Sequence, residues 1–253
     1  VETNVKFLLP QLAALLLLLA PALPAWGQAR EGVNPAALQR IEAKDSILVY
    51  VDYVTGLDNL MNTIPARQYR NNIEAFAKFN ALFEIPAVIL GEENEYYGTF
   101  LPEITKHVTY DARRYERTRV SGYTPAFKEW LKSTGRKNVI IGGISLDNCT
   151  LATSLDLLRD GYNVYFVVDV SGTNSPMAEE MAVARLRDAG GVPVTWLNVA
   201  TEIAEDFNTP NGRKLMGLIQ QHWPASTVGP TQDLTPDGHG MQLPPYEPTP
   251  ATR

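Results

Sequence analysis

Cys149 is the chain's single cysteine. It stands in GGISLDNCTLATSLDLL (142–158), between the apolar run VIIGGI and a helix-patterned stretch. A free thiol has a pKa of about 8.5, so little of it is thiolate at neutral pH. The unpaired N–H groups and macrodipole of a helix start lower that value and favour an anion. The same N–H groups can receive the oxyanion of a tetrahedral adduct, the logic of a nucleophile elbow with sulfur in place of oxygen. The position also fits a buried, inert cysteine that packs a helix on a sheet. Asp52 closes the run SILVYVD (46–52). A carboxylate after ILVYV is costly at a buried strand end unless it has a partner or a task. Within reach of the thiol it can take the sulfur proton and return it to a leaving group. Capping a helix or closing a turn is its other reading. A cationic side chain would hold both groups in one site.

The elements that must position these residues alternate along the chain. Apolar runs at 46–52, 86–91, 138–144, 163–172 and 193–198 read as strands. Between them, 65–84, 126–137, 149–161 and 177–191 carry helical spacing, and an Ala/Glu-rich helix is expected around 199–206. Short apolar strands joined by helices predict an α/β fold, a three-layer α-β-α arrangement with a central mostly parallel sheet. Ligands of such sheets bind beyond the strand C-termini. Asp52, Gly91, Ile144 with Cys149, and Asp169 with Ser171 all fall there, so folding brings Asp52 and Cys149 to one edge.

The two ends of the chain differ from this body. Lys6, the stretch PQLAALLLLLAPALPA (10–25) and the small residues Gly27 and Ala29 describe a signal peptide over 1–29, cleaved near Ala29. The stretch is short and Pro-interrupted for a membrane span, although an anchor is its other reading. A secreted or periplasmic protein with no stable span after cleavage is expected. Residues 30–45 form a lead-in, 46–223 the catalytic domain, and 224–253 a Pro-rich tail, free or draped on a neighbouring subunit. His222 and His239 are assigned to that tail region. The net charge of −6, with no Lys/Arg run, argues against nucleic acid and anionic membrane as partners.

Together, Asp52, a mid-chain basic residue and Cys149 in G-I-S-L-D-N-C resemble the isochorismatase-like cysteine hydrolases. The strongest block is TGRKNVIIGGISLDNCTLATSLDLLRDGYNVYFVVDVSGTNS (134–175), and PVTWLNVATEIAEDF (193–207) resembles the YcaC-like branch of uncharacterised hydrolases. The resemblance implies an Asp–Lys–Cys triad. Asp52 and Cys149 match it, but RRYERTRVSGYTPAF (113–127) has no lysine at the third place. Arg117 is the best match there, with Arg119 and Arg114 as alternatives. Arginine keeps its charge and relays no proton. The resemblance also implies a cis peptide at Ile144–Ser145, which turns the Ser145 N–H toward that of Cys149 to form an oxyanion hole.

In nicotinamidases of this superfamily an Asp/His cluster holds a metal. Glu92, Glu93 and Glu95 lack the matching histidines and read as a solvated acidic loop, so neither metal nor cofactor is expected. Tyr96, Tyr97, Phe100, Tyr123 and Asn174 are candidates for the pocket wall or for a subunit interface. Aromatics with few fixed charges favour a small, neutral, amide-like or ester-like substrate. The resemblance implies a homo-oligomer. The reading that results is an exported cysteine hydrolase of a C–N amide-type bond. The alternative is a catalytically silent binding or scaffold member of the same family. A redox-sensing thiol is a third reading, weakened because the chain has no second cysteine to resolve it.

Overall fold

The computed structural model describes residues 33–223. The chain divides into two compact units, 1–38 and 39–253. Of the first, the described part carries a single 3₁₀ turn, Pro35–Leu38. The proposed signal peptide, the tail and His239 lie outside the described residues.

The five apolar runs of the second unit supply strands, and a sixth strand forms where no apolar run stands, at Ala112–Tyr115; all six are parallel. They are β1 (Ser46–Val51), β2 (Ala87–Leu90), β3 (Ala112–Tyr115), β4 (Asn138–Gly143), β5 (Asn163–Val167) and β6 (Val192–Val194), in spatial order β3-β2-β1-β4-β5-β6. The order reverses at β1 and β4, so the crevice beyond their C-terminal ends is the natural ligand position. Eight helices occur among the described residues: α1 (Thr55–Asp58), α2 (Ala66–Phe83), α3 (Pro102–His107), α4 (Pro125–Thr134), α5 (Cys149–Arg159), α6 (Pro176–Asp188), α7 (Trp196–Ala204) and α8 (Pro210–His222).

Side-chain alternation along the strands builds the three layers. Leu48, Tyr50, Ile140, Tyr165 and Val167 face a core completed by α2, α3, α7 and α8. Ile47, Val49, Val51, Val139, Ile141, Val164 and Phe166 face the opposite core, completed by α4, α5 and α6. Both faces are covered, which is why these strands are continuous apolar runs rather than alternating ones.

Three boundaries differ from the sequence reading. The run 163–172 ends as strand at Val167 and passes into a 3₁₀ turn, Val168–Val170. PVTWLN supplies only the end of β6, because Thr195 and Asn198 form a capping box that starts α7 at Trp196. His222 belongs to α8 and not to the tail. It is 6% exposed and packs edge-on against Trp196.

The His222 ring lies against α2. Its Nε2 meets Lys78 Nζ at 2.9 Å, Nδ1 meets Asn71 Oδ1 at 3.1 Å, and Asn71 Nδ2 donates to the His222 carbonyl at 2.9 Å. Lys78 also pairs with Glu74, which lies 3.4 Å from His107. Burial first, then the Lys78 charge, depress the pKa of His222 to about 4. An unfolded histidine titrates at about 6.5, so between these values the unfolded chain binds the extra proton. Stability from this group is therefore full above about pH 6.5 and is lost as pH falls toward about 4. Thermal melts should show Tm dropping across that window. His222→Gln should flatten the drop; an unchanged slope would remove His222 as its source.

Candidate active site

The backbone ladders continue past the strand ends and carry the functional residues with them. Asp52 N–H donates to Leu90 O at 2.8 Å, Ile144 N–H to Val51 O at 2.9 Å, and Gly91 N–H to Tyr115 O at 3.3 Å. Asp52 turns its side chain into the crevice from a left-handed conformation, φ 52°. Gly91, at φ 137°, leaves room for it: a Cβ there would lie 3.0 Å from Asp52 Oδ1. A Cβ at Gly143 would collide with the Cβ and carbonyl oxygen of Val51. That close approach sets the course of the chain from β4 into the cis Ile144–Ser145 peptide and on to Cys149, the first residue of α5.

Three side chains meet in this crevice. Arg117 Nη2 donates to Asp52 Oδ2 in an ion pair whose side chains are 13% and 7% exposed. The half-buried Cys149 thiol lies in the same crevice, close enough for both Asp52 and the Arg117 guanidinium to shift its pKa. Arg117 Nη1 donates to Arg119 O, which folds the loop back on itself. The three groups form part of the wall of a cavity of about 450 Å³, with Val54, Leu57, Gly91, Glu92, Tyr96, Tyr97, Thr118, Arg119, Val120 and Asn148.

Electrostatics reverse one expectation. The Cys149 thiol is not lowered by its helix start. Burial and then the Asp52 charge push it up to about 11, while Arg117 acts in the other direction. Burial also raises Asp52, against the pull of Arg117 and the thiol. For Arg117, burial opposes the charge, but Asp52 and Cys149 outweigh it and raise its pKa. At rest the site therefore holds a neutral thiol beside a paired carboxylate. Loss of water around the sulfur and the neighbouring anion both disfavour a thiolate, and Arg117 offsets only part of their effect.

The other candidates separate. Arg119 lines the cavity through the same loop, whereas Arg114 pairs with Glu93 at 3.1 Å and stacks over Phe100 at 4.7 Å. Phe100 is buried beneath that guanidinium and is not a wall residue. Tyr96 and Tyr97 are in the wall. Tyr123 is not: it packs edge-on against Phe127 at 5.4 Å and lines a neighbouring depression beyond the Arg117 loop. Asn174 is exposed and outside the cavity, because the bonds of Thr173 to Asn62 and Thr63 carry that segment along the 61–63 loop. Ser145 adjoins the site without lining the cavity. Its Oγ donates to Asp147 Oδ1 at 2.5 Å, and its carbonyl accepts the N–H groups of Asn148 and Thr150.

Sequence reasoning misses Val54, Leu57, Thr118, Val120 and Asn148. Their signal is adjacency to Asp52, Arg117 or Cys149, with no side-chain chemistry to mark them. Glu93 is tied to Arg114 and to the Phe100 N–H rather than freely solvated. No cluster of three or more metal-ligating side chains occurs among the described residues. None of the described helices is long and apolar enough to cross a membrane.

Comparison with known proteins fits this geometry. The family model for the isochorismatase domain matches residues 48–197. The Escherichia coli protein described as "Probable hydrolase YcaC" is 27% identical over 188 residues, covering 73% of this chain and 89% of that protein. A Phytophthora sojae protein, "Secreted isochorismatase effector Isc1", is 25% identical, with 73% and 89% covered. The solved structure of Pseudomonas aeruginosa YcaC, described as carrying hexane-2,5-diol and covalent acrylamide, superposes with a TM-score of 0.70 at 27% identity, covering 75% of this chain and 94% of that one. Escherichia coli YcaC, described as an octameric hydrolase of unknown specificity, gives 0.70 at 27% identity, with 74% and 93% covered. The class defined is a hydrolase of three-layer α/β architecture. This chain belongs to the isochorismatase domain family.

The thiol's environment generates a measurable sign. Iodoacetamide alkylation of Cys149, followed in short pH jumps, should rise through a midpoint of about 11. Asp52→Asn removes the anion that raises the thiol, so its midpoint should move down. A midpoint unmoved by Asp52→Asn would mean that the carboxylate does not face the sulfur.

Proposed function

We propose that the chain is a cysteine hydrolase that cleaves a C–N amide-type bond of a small molecule at the Asp52–Arg117–Cys149 crevice. The contact of these three side chains at one cavity wall carries the reading. Cys149 transfers its proton to Asp52 as sulfur attacks the carbonyl carbon. The Cys149 N–H, at the first helical position and without an intrahelical acceptor, faces the developing oxyanion, and the resemblance adds the Ser145 N–H. Asp52 then protonates the departing amine and leaves a thioester. Water, deprotonated by Asp52, attacks that thioester, and Asp52 returns the proton to the departing sulfur, which restores the thiol and frees the acid. Arg117 holds Asp52 ionised and steadies the sulfur without exchanging a proton. Val54, Leu57, Tyr96 and Tyr97 supply the apolar wall that suits a small neutral substrate.

The competing reading is a silent binding protein, favoured by the raised thiol. Acrylamide and a panel of small primary amides separate the two. Intact mass should show one acrylamide per chain and none in Cys149→Ser. Ammonia release from the best amide should fall by about 10²-fold or more in Asp52→Asn, which still adds acrylamide because losing the anion lowers the thiol pKa and that addition has no leaving group to protonate. Acrylamide addition with no amide turned over would favour the silent reading.

Export and self-association complete the proposal. Residues 1–29 carry the signal-peptide pattern, one relative is described as secreted, and Escherichia coli YcaC is described as octameric. Expression in a bacterial host should yield periplasmic or extracellular protein that begins near Arg30 and elutes as a homo-oligomer. Retention of residues 1–29 in the recovered protein would remove the export claim.

A further inference from the structure

We infer that Thr153 is a positioning residue that holds the Arg117 loop against the helix bearing Cys149. The inference rests on the reading of Asp52, Arg117 and Cys149 as a working site. Thr153 is fully buried on α5, one turn after Cys149. Its hydroxyl faces two ways. Thr153 Oγ1 donates to the Cys149 carbonyl at 2.8 Å and accepts the Gly122 N–H at 2.9 Å. One oxygen thus joins the backbone of the nucleophile to the backbone of the loop that carries the cation.

The loop has little else to fix it. It leaves the edge strand β3 at Tyr115 and re-enters regular structure at the Thr124 cap of α4. Among the described residues between these points, the Gly122 N–H makes the loop backbone's one bond to another element. Gly122 suits the place because a Cβ there would lie 2.6 Å from Leu90 Cδ1 and 3.4 Å from Arg117 Cδ. The anchor is therefore beside the stem of the guanidinium it places. An exposed loop on an edge strand otherwise lets a long side chain sample many rotamers, and a catalytic cation works only when it is preorganised.

A hydroxyl that only filled space would behave like its neighbour Thr150, whose buried Oγ1 has no hydrogen-bond partner. Thr150→Val is thus the control for a methyl replacing a hydroxyl on the same helix.

The test is the pH profile of iodoacetamide alkylation in Thr153→Val, Thr153→Ser, Thr150→Val, Arg117→Ala and the Thr153→Val/Arg117→Ala pair. The full chain is used throughout. Losing the Arg117 charge raises the thiol pKa, whereas simply opening the site to water lowers it. The two effects differ in sign. Thr153→Val should move the midpoint up and slow alkylation at about pH 9 by about tenfold, the effect of one pKa unit. Thr153→Ser, which keeps the oxygen, should stay within about twofold of wild type, as should Thr150→Val. In the Arg117→Ala background Thr153→Val should add nothing, because its effect passes through Arg117.

A midpoint that is unmoved or lowered in Thr153→Val, or an undiminished effect without Arg117, would overturn the inference. Failure of the parent reading looks different. In that case the wild type turns over no amide, whatever the Thr153 variants do to the alkylation profile.

Discussion

The crevice depends on one largely desolvated ion pair, Asp52 with Arg117, and on a neutral thiol placed against it. A carboxylate with 7% side-chain exposure cannot stay ionised cheaply, and burial does raise its pKa. The guanidinium offsets that cost. It also occupies part of the carboxylate's hydrogen-bonding capacity, so the remainder is left for the thiol. The pair is close to neutral as seen from the cavity. A thiolate formed without relinquishing its proton to Asp52 would add an anion beside an anion. Moving the proton from sulfur to carboxylate keeps the local charge constant, and that constancy makes the transfer feasible in a site with little water.

The sheet provides the rigidity such a pair requires. β1 and β4 are adjacent and buried on both faces, and the ladder bonds persist beyond their ends. Asp52 thereby follows directly on a central strand, and Cys149 on the short turn that leaves its neighbour. The arginine is held differently. It comes from the loop after β3, an edge strand of only four residues whose side chains are half-buried or exposed. Precision on that side must come from specific bonds: the guanidinium to Asp52, its second arm to Arg119 O, and Gly122 to Thr153. The site thus joins a fixed nucleophile and base to a cation whose placement is assembled bond by bond.

Legibility in the sequence follows the same division. β1, β2, β4 and β5, with helices α2, α4, α5 and α6, are readable because burial on two faces or on one stripe leaves a strong apolar period. β3 is not: ARRY at a sheet edge has no such period and reads as loop. α3, with six residues, is too short to show a period, and α8 escapes as well because only Gly212, Leu215, Leu218 and His222 of its thirteen residues are buried. Asp52 and Cys149 can be placed at one edge because strand polarity alone orders strand C-termini. The pocket wall cannot be placed from residue type. Tyr123 and Asn174 are suitable residues in the wrong direction, and direction depends on loop conformation. The sign of the thiol's pKa shift is hidden because a helix end is visible in sequence whereas exclusion of water is not.

The arginine narrows what the site can do. A lysine in its position could in principle give or take a proton, whereas a guanidinium, charged under all ordinary conditions, cannot. Of the two charged groups that act on Cys149, Asp52 is then the one able to exchange a proton, and in the proposed cycle it serves every proton movement in turn. It accepts from sulfur, delivers to the leaving group, accepts again from water and returns that proton to sulfur. Such a single shuttle works best when each acceptor is basic enough to remove the proton from a carboxylic acid whose pKa burial has already raised. In the tetrahedral adduct an amide-derived nitrogen is basic enough to take that proton before its bond to carbon breaks, whereas an ester oxygen is not. The proton traffic of one side chain is thus in keeping with the proposed cleavage of a C–N bond.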